Sequence, residues 1–276
     1  EAGMSASQAA THTVIEKYNA RARRVNSLVC VGLDSDFDKL PARFKDEEFP
    51  QFAFNRWIIE QTHAYVAAYK PNIAFYEARG AAGLNDLKLT IDYLRAEHPD
   101  IFTICDAKRG DIGSTNEGYV QAIFDTLGFD AVTLHPFLGG EALQPFLNRA
   151  DRCSIILCRT SNHGSSEFQS LTIDGKPLWQ VIAESVRDRW NANGNCMLVM
   201  GATYPEELRQ VRTIVPEMTL LVPGIGAQGG SVEQTVRFGL NSHGLGLVIN
   251  SSRGVIFADD PAQAARELRD VINAYR

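Results

Sequence analysis

Ser154-Ile155-Ile156-Leu157-Cys158 is apolar at every position but its first and shows no alternation of polar and apolar residues. A strand with one face in water alternates, so a run of this kind reads as a strand covered on both faces, as in a parallel sheet. Working outward, comparable β-rich runs stand at Ser27–Asp34, Ala67–Glu77, Ile101–Lys108, Ala131–Pro136, Cys196–Ala202, Thr219–Gly226 and Gly244–Ser252, and the run quoted extends to Ser161. Between them lie amphipathic stretches: Gln51–Val66, Leu84–Glu97, Thr115–Leu127, Leu178–Asn193, Pro205–Val215 and Val232–Phe238, with Pro261–Tyr275 at the end. Eight βα units in 276 residues predict a closed (β/α)8 TIM barrel rather than an open sheet. The leading segment Ser5–Arg24 reads as an extra N-terminal helix capping the barrel floor. No linker or change in composition divides residues 1–276, so a single domain is expected.

Bulk properties narrow the function. A formal charge of −6 and a pI near 5.6 supply no basic stripe for nucleic acid or an anionic membrane, so an anionic ligand needs a local site and the partner is a small molecule. No apolar run approaches the ~18 residues of a membrane span. Five cysteines, Cys30, Cys105, Cys153, Cys158 and Cys196, form an odd set without CxxC spacing, mostly in apolar runs. That pattern suits free thiols in a reducing cytoplasm. Glu1-Ala2-Gly3 ahead of Met4 reads as a cloning remnant rather than a signal.

A barrel demands that polar residues gather where its strands end, because active sites in this fold lie at the C-terminal rim. Asp34, Lys70, Glu77, Asp106, Lys108, His135, Ser161, Asn162, Gln228 and Arg253 all fall at or just beyond the ends of expected strands. Gly224-Ile225-Gly226-Ala227-Gln228-Gly229-Gly230 follows the seventh strand and Asn250-Ser251-Ser252-Arg253-Gly254 the eighth. Glycine permits close backbone approach, and a guanidinium is the bidentate partner of phosphate. Loops after strands seven and eight are the recurrent phosphate site of such barrels. The alternative is that the glycines only make tight turns and Arg253 pairs with a surface acid. The GxGxxG match here does not indicate a dinucleotide, since no acid ends the following strand.

On the third strand, extended geometry puts Asp106 and Lys108 on one face and Ala107 and Arg109 on the other. Asp111 lies beyond Gly110, within reach of its own site or a neighbouring subunit's. A buried Asp–Lys pair is costly to desolvate and weak evidence of stability, which favours a functional role. The six histidines show no metal-binding spacing, and His135 reads as a hydrogen-bonded wall residue.

Asp106-x-Lys108-x-x-Asp111, within Phe102–Thr115, resembles the signature of orotidine 5′-phosphate decarboxylases, the longer bacterial branch in particular. Val31-Gly32-Leu33-Asp34, Lys70-Pro71-Asn72, Arg159-Thr160-Ser161-Asn162 and the Gln228 and Arg253 loops extend the likeness over nearly the whole chain. The resemblance implies conversion of orotidine 5′-monophosphate to uridine 5′-monophosphate without metal or cofactor. It implies an alternating network of Lys70, Asp106, Lys108 and Asp111, with Lys108 giving a proton to C6 and Asp106 against the substrate carboxylate. Asp111, Ile112 and Thr115 would come from the second subunit of a homodimer with shared sites. Thr115 and Asp34 would hold ribose hydroxyls, Ser161 the pyrimidine edge, and Gln228 and Arg253, with Ser252 beside them, the 5′-phosphate.

The chemistry agrees with those roles. Loss of carbon dioxide leaves an in-plane carbanion at C6 that no simple enolate delocalises, so a fixed cation there is the help required. Two carboxylates would keep the Lys108 ammonium charged, unlike a Schiff-base lysine, which must be neutral to attack. One alternative is a Mg²⁺-dependent sugar-phosphate decarboxylase or synthase, which carries a similar strand but an acid where this chain has Lys70. Another is a barrel that only binds a phosphorylated ligand.

Overall fold

A computed structural model describes residues 13–225 and 230–276. Eight strands, β1 (Val29–Val31), β2 (Ala68–Tyr69), β3 (Phe102–Arg109), β4 (Ala131–Leu134), β5 (Cys153–Arg159), β6 (Cys196–Met200), β7 (Leu220–Val222) and β8 (Leu247–Ser251), close a barrel. Each strand pairs in parallel with its neighbours, and β1 meets both β2 and β8. The expected (β/α)8 architecture is therefore the observed one.

The deciding run, in β5, is buried from Cys153 to Ile156 and again at Cys158 and Arg159. Leu157 is partly exposed because it faces a cavity at the rim. All five cysteines are free and buried.

The helix Val14–Val25 forms within the expected N-terminal segment, whose residues 5–12 lie outside the described ones. Tyr18 donates its hydroxyl proton to the carbonyl of Leu247 at 2.5 Å, and Lys17 pairs with Asp130 at 2.7 Å. Arg21 donates to the carbonyls of Val66 and His63 and to Asp100. These partners lie at or just before the N-terminal ends of β8, β4, β2 and β3, so the helix closes the barrel floor. Satisfying buried carbonyls in this way avoids the cost of orphaned polar groups.

Several boundaries differ from the expectation. The second run was expected to be extended from Ala67 to Glu77. It is a regular strand only at Ala68–Tyr69, makes one further parallel bridge, Asn72 with Asp106, and then turns into a short helix, Ala74–Glu77, as Tyr76 and Glu77 donate back to Ile73. Between β4 and β5 the chain forms a helix, Gly139–Leu147, with Pro145 inside it. After β5 a two-stranded hairpin, Thr172–Ile173 with Lys176–Pro177, lies outside the barrel. Among the described residues no helix is long and apolar enough to cross a membrane.

Candidate active site

The charged centre sits where β2 and β3 end. Lys70 follows β2 and is buried, its side chain 5% exposed, and its ammonium lies 2.9 Å from Asp106 Oδ2. Lys108 reaches the other oxygen, Oδ1, at 2.7 Å, with its side chain 49% exposed. One carboxylate thus holds two ammonium groups, one walled in and one open to solvent.

Burial opposes ionisation of Asp106, but Lys70 and Lys108 outweigh it by charge and hydrogen bonding, holding the carboxyl well below the usual carboxylate range. Burial likewise disfavours the Lys70 ammonium. Asp106, Asp34 and Cys30 overcome that cost and hold the lysine above its ordinary value. Both groups are permanently charged at neutral pH.

Regular strand alternation is not what joins Asp106 to Lys108. The β3–β4 register shifts between Cys105 and Arg109, and Lys108 has φ of +47°. The sequence reading was correct that the two side chains converge and incorrect in its reason: a bulge re-aims Lys108. Arg109 turns away and pairs with Glu77, which places Glu77 off the site. Gly110 follows, and His135 Nε2 lies 2.9 Å from its carbonyl oxygen. A Cβ at Gly110 would stand 2.6 Å from that ring nitrogen, so the close approach requires glycine there. His135 is hydrogen-bonded, as expected, but borders none of the cavities at the rim.

Two cavities meet at this centre and share Lys70, Asp106 and Pro223. One, of about 500 Å³, extends past Asp34, Asn250 and Ser252 to Arg253. The other, of about 420 Å³, extends past Lys108, Thr133 and Leu157 to Ser161 and Asn162. Both have the size of small-molecule sites. Arg253 has no carboxylate partner among the described residues, contrary to the surface-pair alternative, and also borders a third cavity with Asp34, Asn72 and Phe257. Asp34 accepts the backbone N–H of Asn72 at 3.2 Å.

The structure thus gathers Lys70, Asp106, Lys108, Asp34, Ser161, Ser252 and Arg253. It does not bring Asp111, Ile112 or Thr115 to these cavities. Ile112 is 61% exposed, and Asp111 accepts the Ile112 N–H with its side chain. Gln228 lies outside the described residues. His163 is exposed and lines neither cavity.

Sequence reasoning passed over Thr133 and left Asn250 without a role. Thr133 is the polar residue in the otherwise apolar run Ala131-Val132-Thr133-Leu134, a signal that could have marked it. Asn250 is nearly buried, and its Oδ1 has no partner among the described residues.

Fold and site define a (β/α)8 barrel with a lysine–carboxylate centre at the C-terminal rim. The chain belongs to the orotidine 5′-phosphate decarboxylase / HUMPS family, whose model matches residues 27–268. It is 48% identical over 239 residues to a protein of Christiangramia forsetii named orotidine 5′-phosphate decarboxylase, covering 87% of each chain. The solved OMP decarboxylase of Leishmania donovani is 40% identical, with a TM-score of 0.85 over 95% of this chain and 98% of that one. UMP synthase of the same organism is 42% identical with a TM-score of 0.87, and this chain spans 56% of its length.

Proposed function

We propose that the chain decarboxylates orotidine 5′-monophosphate to uridine 5′-monophosphate, the last step of pyrimidine nucleotide synthesis, without metal or cofactor. The observation that carries this reading is the single carboxylate of Asp106 shared by Lys70 and Lys108 between the two cavities. The 5′-phosphate occupies the end bounded by Ser252 and Arg253, with Gln228 as a further phosphate ligand on the resemblance alone, and the ribose hydroxyls meet Asp34. The pyrimidine lies toward Ser161, its C6 carboxylate beside Asp106.

The C6–carboxylate bond breaks, its electron pair remains on C6, and carbon dioxide leaves. Lys108 gives its proton to C6 and regains one from water. The partial exposure of Lys108 fits that exchange, whereas Lys70 is too enclosed to resupply itself from solvent. Fixed charges that need no reorganisation as the carbanion forms are the effective kind of electrostatic catalysis. Phosphate contacts far from C6 supply binding energy used at the reacting carbon.

The exposed Ile112 and Thr115, with Asp111 half-buried beside them, support a homodimer in which each subunit completes the other's site, Thr115 reaching a ribose hydroxyl and Asp111 extending the charged network. Five buried free thiols suit a cytoplasmic protein.

The Mg²⁺-dependent sugar-phosphate alternative would need Asp106 to be free for a metal ion. Against it, both oxygens of Asp106 are engaged by ammonium groups, one of them buried. The test follows absorbance as purified protein converts orotidine monophosphate in the presence of chelator. Turnover under those conditions is expected. Activity lost in chelator and restored by Mg²⁺ would overturn the metal-free mechanism, and binding without turnover would leave a ligand-binding barrel.

A further inference from the structure

Two amides of the bulge that re-aims Lys108 converge on one side chain of the neighbouring strand. Between the paired positions Cys105–Val132 and Arg109–Leu134, three residues of β3, Asp106 to Lys108, stand opposite one residue of β4, Thr133. A gap of this kind leaves backbone N–H groups without ladder partners. The N–H of Asp106 is satisfied on the β2 side, by the carbonyl of Pro71. Those of Ala107 and Lys108 both donate to Thr133 Oγ1, each at 3.0 Å.

A hydroxyl has two acceptor lone pairs and one proton. With both lone pairs taken by amides, the Thr133 proton is left for Asp106 Oδ1, 2.9 Å away. That is the oxygen that receives Lys108 Nζ. The side chain is buried, yet it borders the cavity shared with Lys70, Asp106 and Lys108. Left-handed backbone at a non-glycine residue persists only where its surroundings over-determine it. At Lys108 the two amide contacts to Thr133 do so.

We propose that Thr133 is a positioning residue for the decarboxylation. Its hydroxyl fixes the bulge that presents Lys108 and orients the Asp106 carboxylate, so that Oδ1 faces Lys108 and Oδ2 faces Lys70. This rests on the function proposed above, and its test is arranged to separate the two. Thr133→Val keeps the shape and removes the hydroxyl, leaving two amides unpaired. Its kcat is expected to fall on the order of 10- to 100-fold, the size of effect expected for losing a hydrogen bond to a charged group. KM and affinity for uridine monophosphate change by no more than about threefold, since the lone pairs and proton of the hydroxyl are already taken by Ala107, Lys108 and Asp106. Thr133→Ser restores kcat to near the wild-type value.

Amide hydrogen exchange at Ala107 and Lys108 rises in Thr133→Val. That readout needs no substrate, so it tests the grip of the hydroxyl even if the wild-type protein fails to turn over orotidine monophosphate. If Thr133→Val does not fold, Thr133→Cys, with a weaker donor of similar size, decides: lowered kcat with retained nucleotide affinity supports the role. Wild-type kcat in either folded variant overturns it. So does a Val variant that loses kcat and nucleotide affinity together without rescue by serine, or one whose amide exchange is unchanged.

Discussion

The two ends of the barrel both bury cations, and they use them differently. At the floor, Arg21 spreads its donors over the carbonyls of Val66 and His63 and over Asp100, joining the N-terminal helix to the residues before β2 and β3. At the rim, Lys70 and Lys108 converge on the single carboxylate of Asp106 beside open cavities. The floor disperses charge over two backbone carbonyls and a carboxylate, whereas the rim concentrates it on one carboxylate and leaves Lys108 open to solvent. Buried ion pairs are weak evidence of stability, so concentrated charge beside a cavity marks function and dispersed charge marks scaffold.

The largest test of that contrast is Lys108→Ala. It should lower kcat by a factor on the order of a thousand or more while uridine monophosphate still binds, because it removes both a proton donor and a fixed cation. Ordinary rates in a steady-state assay would end the distinction.

The reverse result is expected at the floor. Arg21→Ala should cost about 2 kcal/mol of stability in denaturant unfolding, through carbonyls left unpaired, with kcat unchanged. A fall in kcat without loss of stability would show the floor to be coupled to the chemistry.

A smaller effect separates the ends by pH. His63 and His98 pack against each other at the floor, their rings tilted by 32° with centroids 4.4 Å apart. Burial and Arg21 lower both, and His63 also lowers His98, against the opposing pull of Asp100, with Glu60 acting on His63 and Glu97 on His98. Unfolded histidine titrates near about 6.5, so the unfolded chain takes up protons first and stability should fall as pH drops below that value. The depressed carboxyl of Asp106 contributes stability that is fully present above about 3.9 and is lost only as pH falls through its lower folded value. Thermal unfolding between pH 7 and 5 should therefore shift in wild type and shift less in His63→Phe. An equal shift in both would remove the histidines from the account.

Much of this was legible in the sequence. The alternation of apolar strands and amphipathic helices predicts a barrel because burial on both faces leaves a strand few other settings. Lys70, Asp106, Lys108 and Arg253 stand out as charged residues at the ends of such strands, where the fold places its sites. Glu77 did not belong with them, because the helix after Pro71 carries it away to Arg109. Thr133 was missed because a threonine inside an apolar strand is compatible with β structure, and its hydroxyl acquires meaning only opposite a bulge in the neighbouring strand.

The sequence by itself determined the eight-stranded pattern, which is a periodicity, and the placing of an acid and a lysine two residues apart at the end of the third strand, which is a spacing within a short stretch of chain. Tertiary structure decided the rest. Lys70 meets Asp106 across 36 positions, and the β3–β4 register leaves Lys108 in a left-handed conformation held from Thr133. Those contacts depend on how two strands slide past each other when the barrel closes, and no pattern along a single strand encodes that offset.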